Sequence, residues 1–190
     1  MKLALVVALL VAACGGSPKS TEPLQQNGGD DRVTIAALEV RGASESLRAA
    51  VIAIAGTHLV VGADLTLDLS EIAHKAILDY YYERGYINVR VRWAEELERA
   101  KGKTPVVITV EEGMLFRIAS LEIVDVPEAD RARYIALSAN RPGETFVRSK
   151  IAAWVKAVGE AAPGNPIVVP ETSVDLVANT IVIRLALKNP

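Results

Sequence analysis

Two segments of the chain share one pattern of apolar and polar positions. Residues 35–40 (IAALEV) and 118–123 (IASLEI) match at an offset of 83 residues, and both alternate as half-buried strands do. Each segment is followed by two patterns at helical spacing and then by two further strands. The order predicts a β-α-α-β-β unit twice, and therefore an α+β fold of two tandem domains.

In the first unit, the first helix is predicted to start at Ser44, as an N-cap, and to stop at Gly56. A second helix is predicted to start at Asp68. Its apolar stripe consists of Leu69, Ile72, Ala73, Ala76, Ile77, Tyr80 and Tyr81. Strands are expected at Ile87–Trp93 and Val106–Val110.

In the second unit, residues 128–143 predict a helix that ends between Asn140 and Gly143. The stripe of the next helix consists of Val147, Ile151, Trp154, Val155 and Val158. The last two strands are expected at Ile167–Val169 and Thr180–Leu187. Pro166 and Pro170 flank the shorter of these strands and are expected to limit its pairing.

Residues 79–91 (DYYYERGYINVRV) join a helix to a strand. Gly85 lies where a left-handed C-cap is required, so the helix is predicted to end there. The three tyrosines before it lie about 100° apart, so we expect one or two to pack on the sheet and one to face solvent. In the strand, Ile87, Val89, Val91 and Trp93 are predicted to face one way, and Asn88, Arg90 and Arg92 the other.

The N-terminus combines one basic residue, Lys2, with the uncharged apolar run Leu3–Ala13. The run is shorter than the about 20 residues of a membrane span, which is typical of a signal peptide. The sequence Val-Ala-Ala-Cys resembles the lipobox of bacterial lipoproteins, and the resemblance implies that Cys14 is acylated. Residues 1–13 are therefore predicted to be the signal peptide, and residues 14–31 the lipidated cysteine and a flexible linker, polar and rich in Gly and Pro, with an end-to-end distance of about 20–25 Å.

The predicted location is the outer membrane, facing the periplasm, because Gly15 and Gly16 stand where an inner-membrane retention signal would have Asp. The formal net charge of −2 includes no basic block, which argues against nucleic-acid binding. Cys14 is the single cysteine, so an internal disulfide is excluded.

The order Tyr81-x-x-x-Gly85-Tyr86-strand, closed by Val106–Gly113, resembles the POTRA (polypeptide-transport-associated) domain. The resemblance implies two domains, residues 32–113 and a divergent copy at 114–190, each a three-stranded mixed sheet covered by two helices. The second copy has GEAAPG at 159–164 in place of the Tyr-x-x-x-Gly-Tyr motif.

The resemblance further implies a binding arm of outer-membrane protein assembly or secretion, in which the middle strand of each unit is a free sheet edge. Such an edge can accept a strand from a partner. The candidate site is the edge Ile87, Asn88, Val89, Arg90, Val91, Arg92 and Trp93, for a barrel insertase, a secretion component or unfolded outer-membrane proteins. The two arginines can instead block unwanted pairing.

Catalytic chemistry is poorly represented. The two histidines, His58 and His74, lack the partners that a triad or a zinc site needs. Glu111 and Glu112 are adjacent at a strand end, so their side chains are expected to diverge. We therefore expect no enzyme activity, no metal and no cofactor.

Two other functions remain open. A phospholipid-binding lipoprotein, similar to tandem-BON proteins, predicts an exposed apolar or basic patch. A structural spacer between the membrane and another envelope component predicts strong coupling of the two domains and no exposed edge.

Overall fold

The computed structural model describes residues 32–93 and 102–188. The signal peptide, Cys14 and the linker lie outside the described residues. The elements are β1 (Val33–Arg41), α1 (Glu45–Gly56), α2 (Leu67–Tyr82), β2 (Arg90–Trp93), β3 (Gly102–Glu111), β4 (Arg117–Val124), α3 (Glu128–Ala136), α4 (Arg148–Ala161), β5 (Ile167–Asp175) and β6 (Thr180–Lys188). They confirm the predicted α+β fold with two β-α-α-β-β units.

Each unit forms a three-stranded mixed sheet with the last strand in the centre. The strand orders are β1-β3-β2 and β4-β6-β5. The central strand pairs parallel with the first strand and antiparallel with the second in both sheets. The two sheets also share an irregularity of strand pairing. The register shifts between Ile35 and Ala37 in the first sheet and between Ile118 and Ser120 in the second.

The first core lies between the sheet and the two helices of its unit. Ala73, Ile77 and Tyr81 of α2 are buried, and they follow the i, i+4, i+8 spacing of one helix face. The predicted stripe was too wide, because Ile72 is 48% exposed. Ile72 lies about 100° around the helix from Ala73, which turns it away from the sheet.

The second core is built in the same way around α4. Ile151, Trp154 and Val158 are buried, and the Trp154 indole Nε1 donates to the Tyr134 carbonyl at 2.8 Å. Trp154 therefore has a structural role, since the polar atom of this buried side chain has its partner.

Two helix ends differ from the predictions, whereas the N-cap of α1 at Ser44 is as predicted. The N-cap of α2 is Thr66, whose hydroxyl accepts the Leu69 N–H at 3.3 Å, whereas Asp68 lies inside the first turn. Ser44 is the N-cap residue of α1, but its hydroxyl makes no capping bond to that helix. Helix α3 ends at Ala136, several residues before the predicted end. At that predicted end the chain has returned to the sheet, because the Gly143 N–H donates to the Ile118 carbonyl of β4 at 2.7 Å.

Gly85 ends the α2 segment as predicted. Its φ is +86°, and the Tyr86 N–H donates to the Tyr81 carbonyl at 3.1 Å. The Gly85 N–H also donates to Tyr82, at 3.4 Å, which completes a Schellman motif. Of the three tyrosines, Tyr81 is fully buried and Tyr80 and Tyr82 are half-buried, so the prediction that one faces solvent was wrong.

The two units are joined by polar and apolar contacts on both sides of residues 112–116. The Phe116 N–H donates to the Gly85 carbonyl at 2.9 Å, and Arg148 pairs with Asp79 at 2.9 Å. The carboxylate of Glu83 accepts the backbone N–H of Ser149 at 2.8 Å and the hydroxyl of the same residue. We call this set the joint.

Glu83 acts at the joint as a cap supplied from the other domain. Helix α4 has Val147 as its N-cap residue, without a side-chain cap, and has no acidic residue in its first turn. A carboxylate at a helix N-terminus satisfies a free N–H group and interacts favourably with the helix dipole. The first domain therefore completes a helix of the second.

Candidate partner-binding site

Strand β2 is an edge of the first sheet. It pairs with β3 on one side, and no described strand pairs with its other side. The unpaired N–H and C=O groups of such an edge can accept an added strand. This is the geometric requirement for the predicted mode of binding.

The predicted strand Ile87–Trp93 is too long at its start. Residues 87–89 form a turn, and β2 begins at Arg90. Val89 is buried in the first core, whereas Ile87 packs against the second core. The Schellman turn at Gly85 directs the chain to the neighbouring domain before the strand begins, and a periodic pattern does not carry that information.

The two faces of β2 differ as the alternation predicts. Val91 is buried, and Trp93 is half-buried with its ring 6.4 Å from the His74 ring in an edge contact. Arg90 and Arg92 are exposed on the face without helices. The apolar side of the strand fixes it to the core, and the cationic side is available to a partner.

The two arginines differ in their electrostatic partners. Arg92 pairs with Glu111 at 2.9 Å. Within the described part of the chain, Arg90 makes no ion pair and its guanidinium makes no hydrogen bond. Arg90 is therefore the cation of this edge that a partner can neutralise.

A cavity of about 480 Å³ lies at the start of β2. It is lined by Asn88, Val89, Arg90, Glu111 and Gly113. The Asn88 Oδ1 accepts the Met114 N–H at 3.1 Å, which orients the amide. Gly113 has φ +71°, and a Cβ there would lie 2.2 Å from Asn88 Oδ1, so this wall of the cavity requires glycine.

Glu112 holds the end of β3 against both helices of its domain. Its Oε1 accepts the Ser44 N–H at 2.8 Å, the Ser44 hydroxyl at 3.0 Å and the Tyr81 hydroxyl at 2.9 Å. Burial raises the pKa of Tyr81, and the hydrogen bond to Glu112 raises it further, so the phenol remains a donor.

The sequence does not indicate the role of Glu112. Tyr81 and the Glu-Gly ending belong to one sequence motif, but the motif does not show that a hydrogen bond joins them. Glu111 and Glu112 do diverge, because Glu111 pairs with Arg92 whereas Glu112 accepts from Ser44 and Tyr81. This arrangement gives each carboxylate a structural partner.

The second edge is longer than predicted. Strand β5 covers Ile167–Asp175, and all nine residues are in register with β6. Pro170 does not end the ladder, because a proline is tolerated on an edge strand whose missing N–H would face away from the neighbouring strand. The expectation that prolines restrict this edge was therefore wrong.

Two other kinds of site, a metal centre and a membrane-spanning helix, concern residues 32–93 and 102–188. No group of three or more His, Cys, Asp or Glu side chains there is arranged to hold a metal ion. No helix in these ranges is long and apolar enough to cross a membrane.

No protein-family model matches the chain, and no curated protein matches it. Several solved structures are similar to the chain. POTRA domains 3–5 of BamA from Haemophilus influenzae are 24% identical, with a TM-score of 0.55, over 83% of this chain and 66% of that chain. BamA from Haemophilus ducreyi lacking POTRA domains 1–3 is 14% identical, with a TM-score of 0.65, over 83% and 29%.

A third similar structure has nearly the length of this chain's folded part. POTRA domains 1–2 of the periplasmic domain of Omp85 from Anabaena are 14% identical, with a TM-score of 0.50, over 82% of this chain and 95% of that chain. Both domains of the protein therefore have the POTRA fold. The chain spans less than a third of the Haemophilus ducreyi protein, so the likeness concerns the fold of this part.

Proposed function

We propose that the protein is a non-enzymatic, membrane-anchored periplasmic module that binds extended polypeptide segments by strand addition. The partners would be clients or components of outer-membrane protein assembly or secretion. The observation that carries the proposal is the free edge of β2, Arg90–Trp93, with exposed arginines beside a cavity. Main-chain pairing tolerates many sequences, which suits a module with several partners.

The POTRA fold supports this proposal at the level of the class. The similar structures include POTRA domains of BamA and of the periplasmic domain of Omp85. The lipid anchor at Cys14 would hold the module at the outer membrane through the linker. Labelling with a fatty-acid analogue tests the anchor, since Cys14→Ala should abolish labelling and release the protein from the membrane fraction.

The experiment that tests strand addition is photo-crosslinking in living cells. A photoreactive residue replaces Arg92, or in a second strain Arg131 of α3, an exposed residue in the other domain. Capture at Arg92 of an assembly component or an unfolded outer-membrane protein, with much less at Arg131, is the expected result. Equal capture at both positions, or capture of lipid at Arg92, would contradict the proposal.

A structural spacer is the second candidate, because the joint couples the two domains. The contacts of Glu83 and Arg148 across the joint favour it. The exposed edges β2 and β5 favour the binding module. A protein that still binds its partner after the joint contacts are removed would favour the binding module over the spacer.

A further inference from the structure

The direction of β2 decides which end of an added strand reaches the cavity. The cavity lies at the N-terminal end of β2, beside Arg90. A strand that pairs antiparallel with β2 runs the opposite way, so its C-terminal end lies at the cavity. A strand that pairs in parallel would instead place its N-terminal end there.

The charge at the cavity distinguishes between these two directions. Arg90 has no ion pair within the described ranges, whereas the carboxylate of Glu111 is already engaged by Arg92. An N-terminal ammonium group would be repelled by Arg90, and a C-terminal carboxylate would be attracted. The pairing of a guanidinium with a carboxylate is a charge-assisted hydrogen bond, which is among the stronger polar contacts.

Asn88 adds a neutral donor on the same wall. Its Oδ1 accepts the backbone N–H of Met114, which leaves its NH₂ group able to donate. Gly113 leaves room for that amide because it has no side chain. The cavity of about 480 Å³ has room for a terminal residue with its carboxylate.

We propose that the first domain binds the C-terminal end of a polypeptide, which adds antiparallel to β2 and places its free carboxylate at the cavity, against Arg90 and Asn88. This inference rests on the proposed function, since it assumes that β2 accepts a strand. It specifies the direction of the partner and the chemistry of its end.

The test maps crosslinks within the captured partner. A photoreactive residue replaces Met114, which lies next to Asn88 and is 54% exposed, or in a second strain Arg92. Mass spectrometry then identifies the partner residue attached at each position. We expect crosslinks from Met114 to map to roughly the last three residues of the partner chain, and those from Arg92 to map upstream of them.

Variants of Arg90 test the carboxylate contact. Arg90→Gln should lower the yield of C-terminal crosslinks from Met114 about tenfold, whereas Arg90→Lys should retain most of it. Arg184→Gln, at another exposed arginine on a sheet, is the control that should leave the yield of C-terminal crosslinks from Met114 unchanged. Thermal unfolding of purified Arg90→Gln should match that of wild type, which checks that the variant is folded.

The outcomes are distinguishable. Crosslinks from Met114 that map to internal segments or to N-termini, or a yield unaffected by Arg90→Gln, would overturn the inference and leave strand addition intact. No specific crosslink from either Met114 or Arg92 would overturn the proposed function, and this inference with it.

Discussion

At the scale of single residues, Glu112 shows how a short motif stabilises a domain. One carboxylate oxygen accepts hydrogen bonds from Ser44 and Tyr81, which lie on different elements. The sequence indicated that Tyr81 and the Glu-Gly ending belong together. It did not indicate the bond, because the two residues are 31 positions apart and packing brings them into contact.

Removal of the Tyr81 hydroxyl should destabilise the first domain. Tyr81→Phe deletes one donor to a carboxylate, and we expect the free energy of unfolding at pH 7 to fall by about 1.5 kcal/mol, measured by urea denaturation. Tyr82→Phe is the control, because its hydroxyl makes no hydrogen bond in the described part of the chain. Equal losses in both variants would show that the bond to Glu112 is not the cause.

The same bond has a pH dependence of known sign. Because the pKa of Tyr81 is raised in the folded state, its contribution is present below the ordinary tyrosine pKa of about 10 and is lost as the pH rises through the folded value. Above pH 10, wild type should therefore lose stability more steeply than Tyr81→Phe does, measured by the same urea denaturation.

Gly85 is required both by its backbone conformation and by the space around it. Its φ is +86°, and a Cβ would lie 2.6 Å from Thr145 Cγ2 and 3.1 Å from the Phe116 carbonyl oxygen. We expect Gly85→Ala to lower the free energy of unfolding by about 3 kcal/mol, measured by thermal or urea denaturation.

Gly62 provides the matched control for this variant. It also has a positive φ, +91°, but no atom lies within 4 Å of a Cβ built there. Gly62→Ala should therefore cost about 1 kcal/mol, from the backbone alone. If the two variants are equally destabilised, the contact across the joint does not require glycine at position 85.

At the scale of elements, β5 and β6 form a hairpin whose turn depends on Asp175. Its Oδ1 accepts the N–H groups of Val177 at 2.8 Å and Ala178 at 2.9 Å. These bonds hold the pKa of Asp175 below its ordinary value. The bonds also hold the apolar residues Leu176 and Val177 in an exposed turn, where they are 70% and 94% exposed.

The turn should weaken in acid. A lowered pKa in the folded state means that the contribution of Asp175 is present above its unfolded pKa, about 3.9, and is lost as the pH falls through the lower folded value. The amide proton shifts of Val177 and Ala178 in NMR should therefore titrate with a midpoint below 3.9. In Asp175→Asn this titration should be absent, and a wild-type midpoint at 3.9 or above would contradict the account.

At the scale of the whole molecule, the joint determines whether the two domains move together. Glu83 and Asp79 of the first domain contact Ser149 and Arg148 of the second. An exposed ion pair is worth about 0–1 kcal/mol and a helix cap about 1 kcal/mol. The burial of Ile87 against the second core and the full burial of Phe116 add apolar contacts to these polar ones.

Loss of the polar contacts should loosen the joint. We expect the two domains of wild type to tumble with one rotational correlation time in NMR relaxation measurements, and the domains of Glu83→Ala/Arg148→Ala, which lacks both the acceptor and the cation, to tumble with separate, shorter ones. Lys156→Ala/Glu160→Ala, a charge pair within α4, is the control that should behave as wild type. A double variant that still tumbles as one body would show that apolar burial alone holds the joint.

The sequence by itself determined the repeat, the order of elements and the left-handed turn at Gly85 that follows α2. These features depend on local patterns, since a few consecutive residues are enough to indicate periodic burial or a positive φ. The exposed arginines of β2 followed from the same alternation.

Tertiary structure decided where the edge strands begin and end, and which residues act across the joint. Ile87 has the apolar pattern of a strand but packs into the neighbouring domain, and Pro170 stays in the ladder because its strand is an edge. Glu83 caps a helix that starts 65 residues later in the chain. The periodicity of the sequence does not indicate such pairings, because they depend on which surfaces meet when the two sheets and their helices pack.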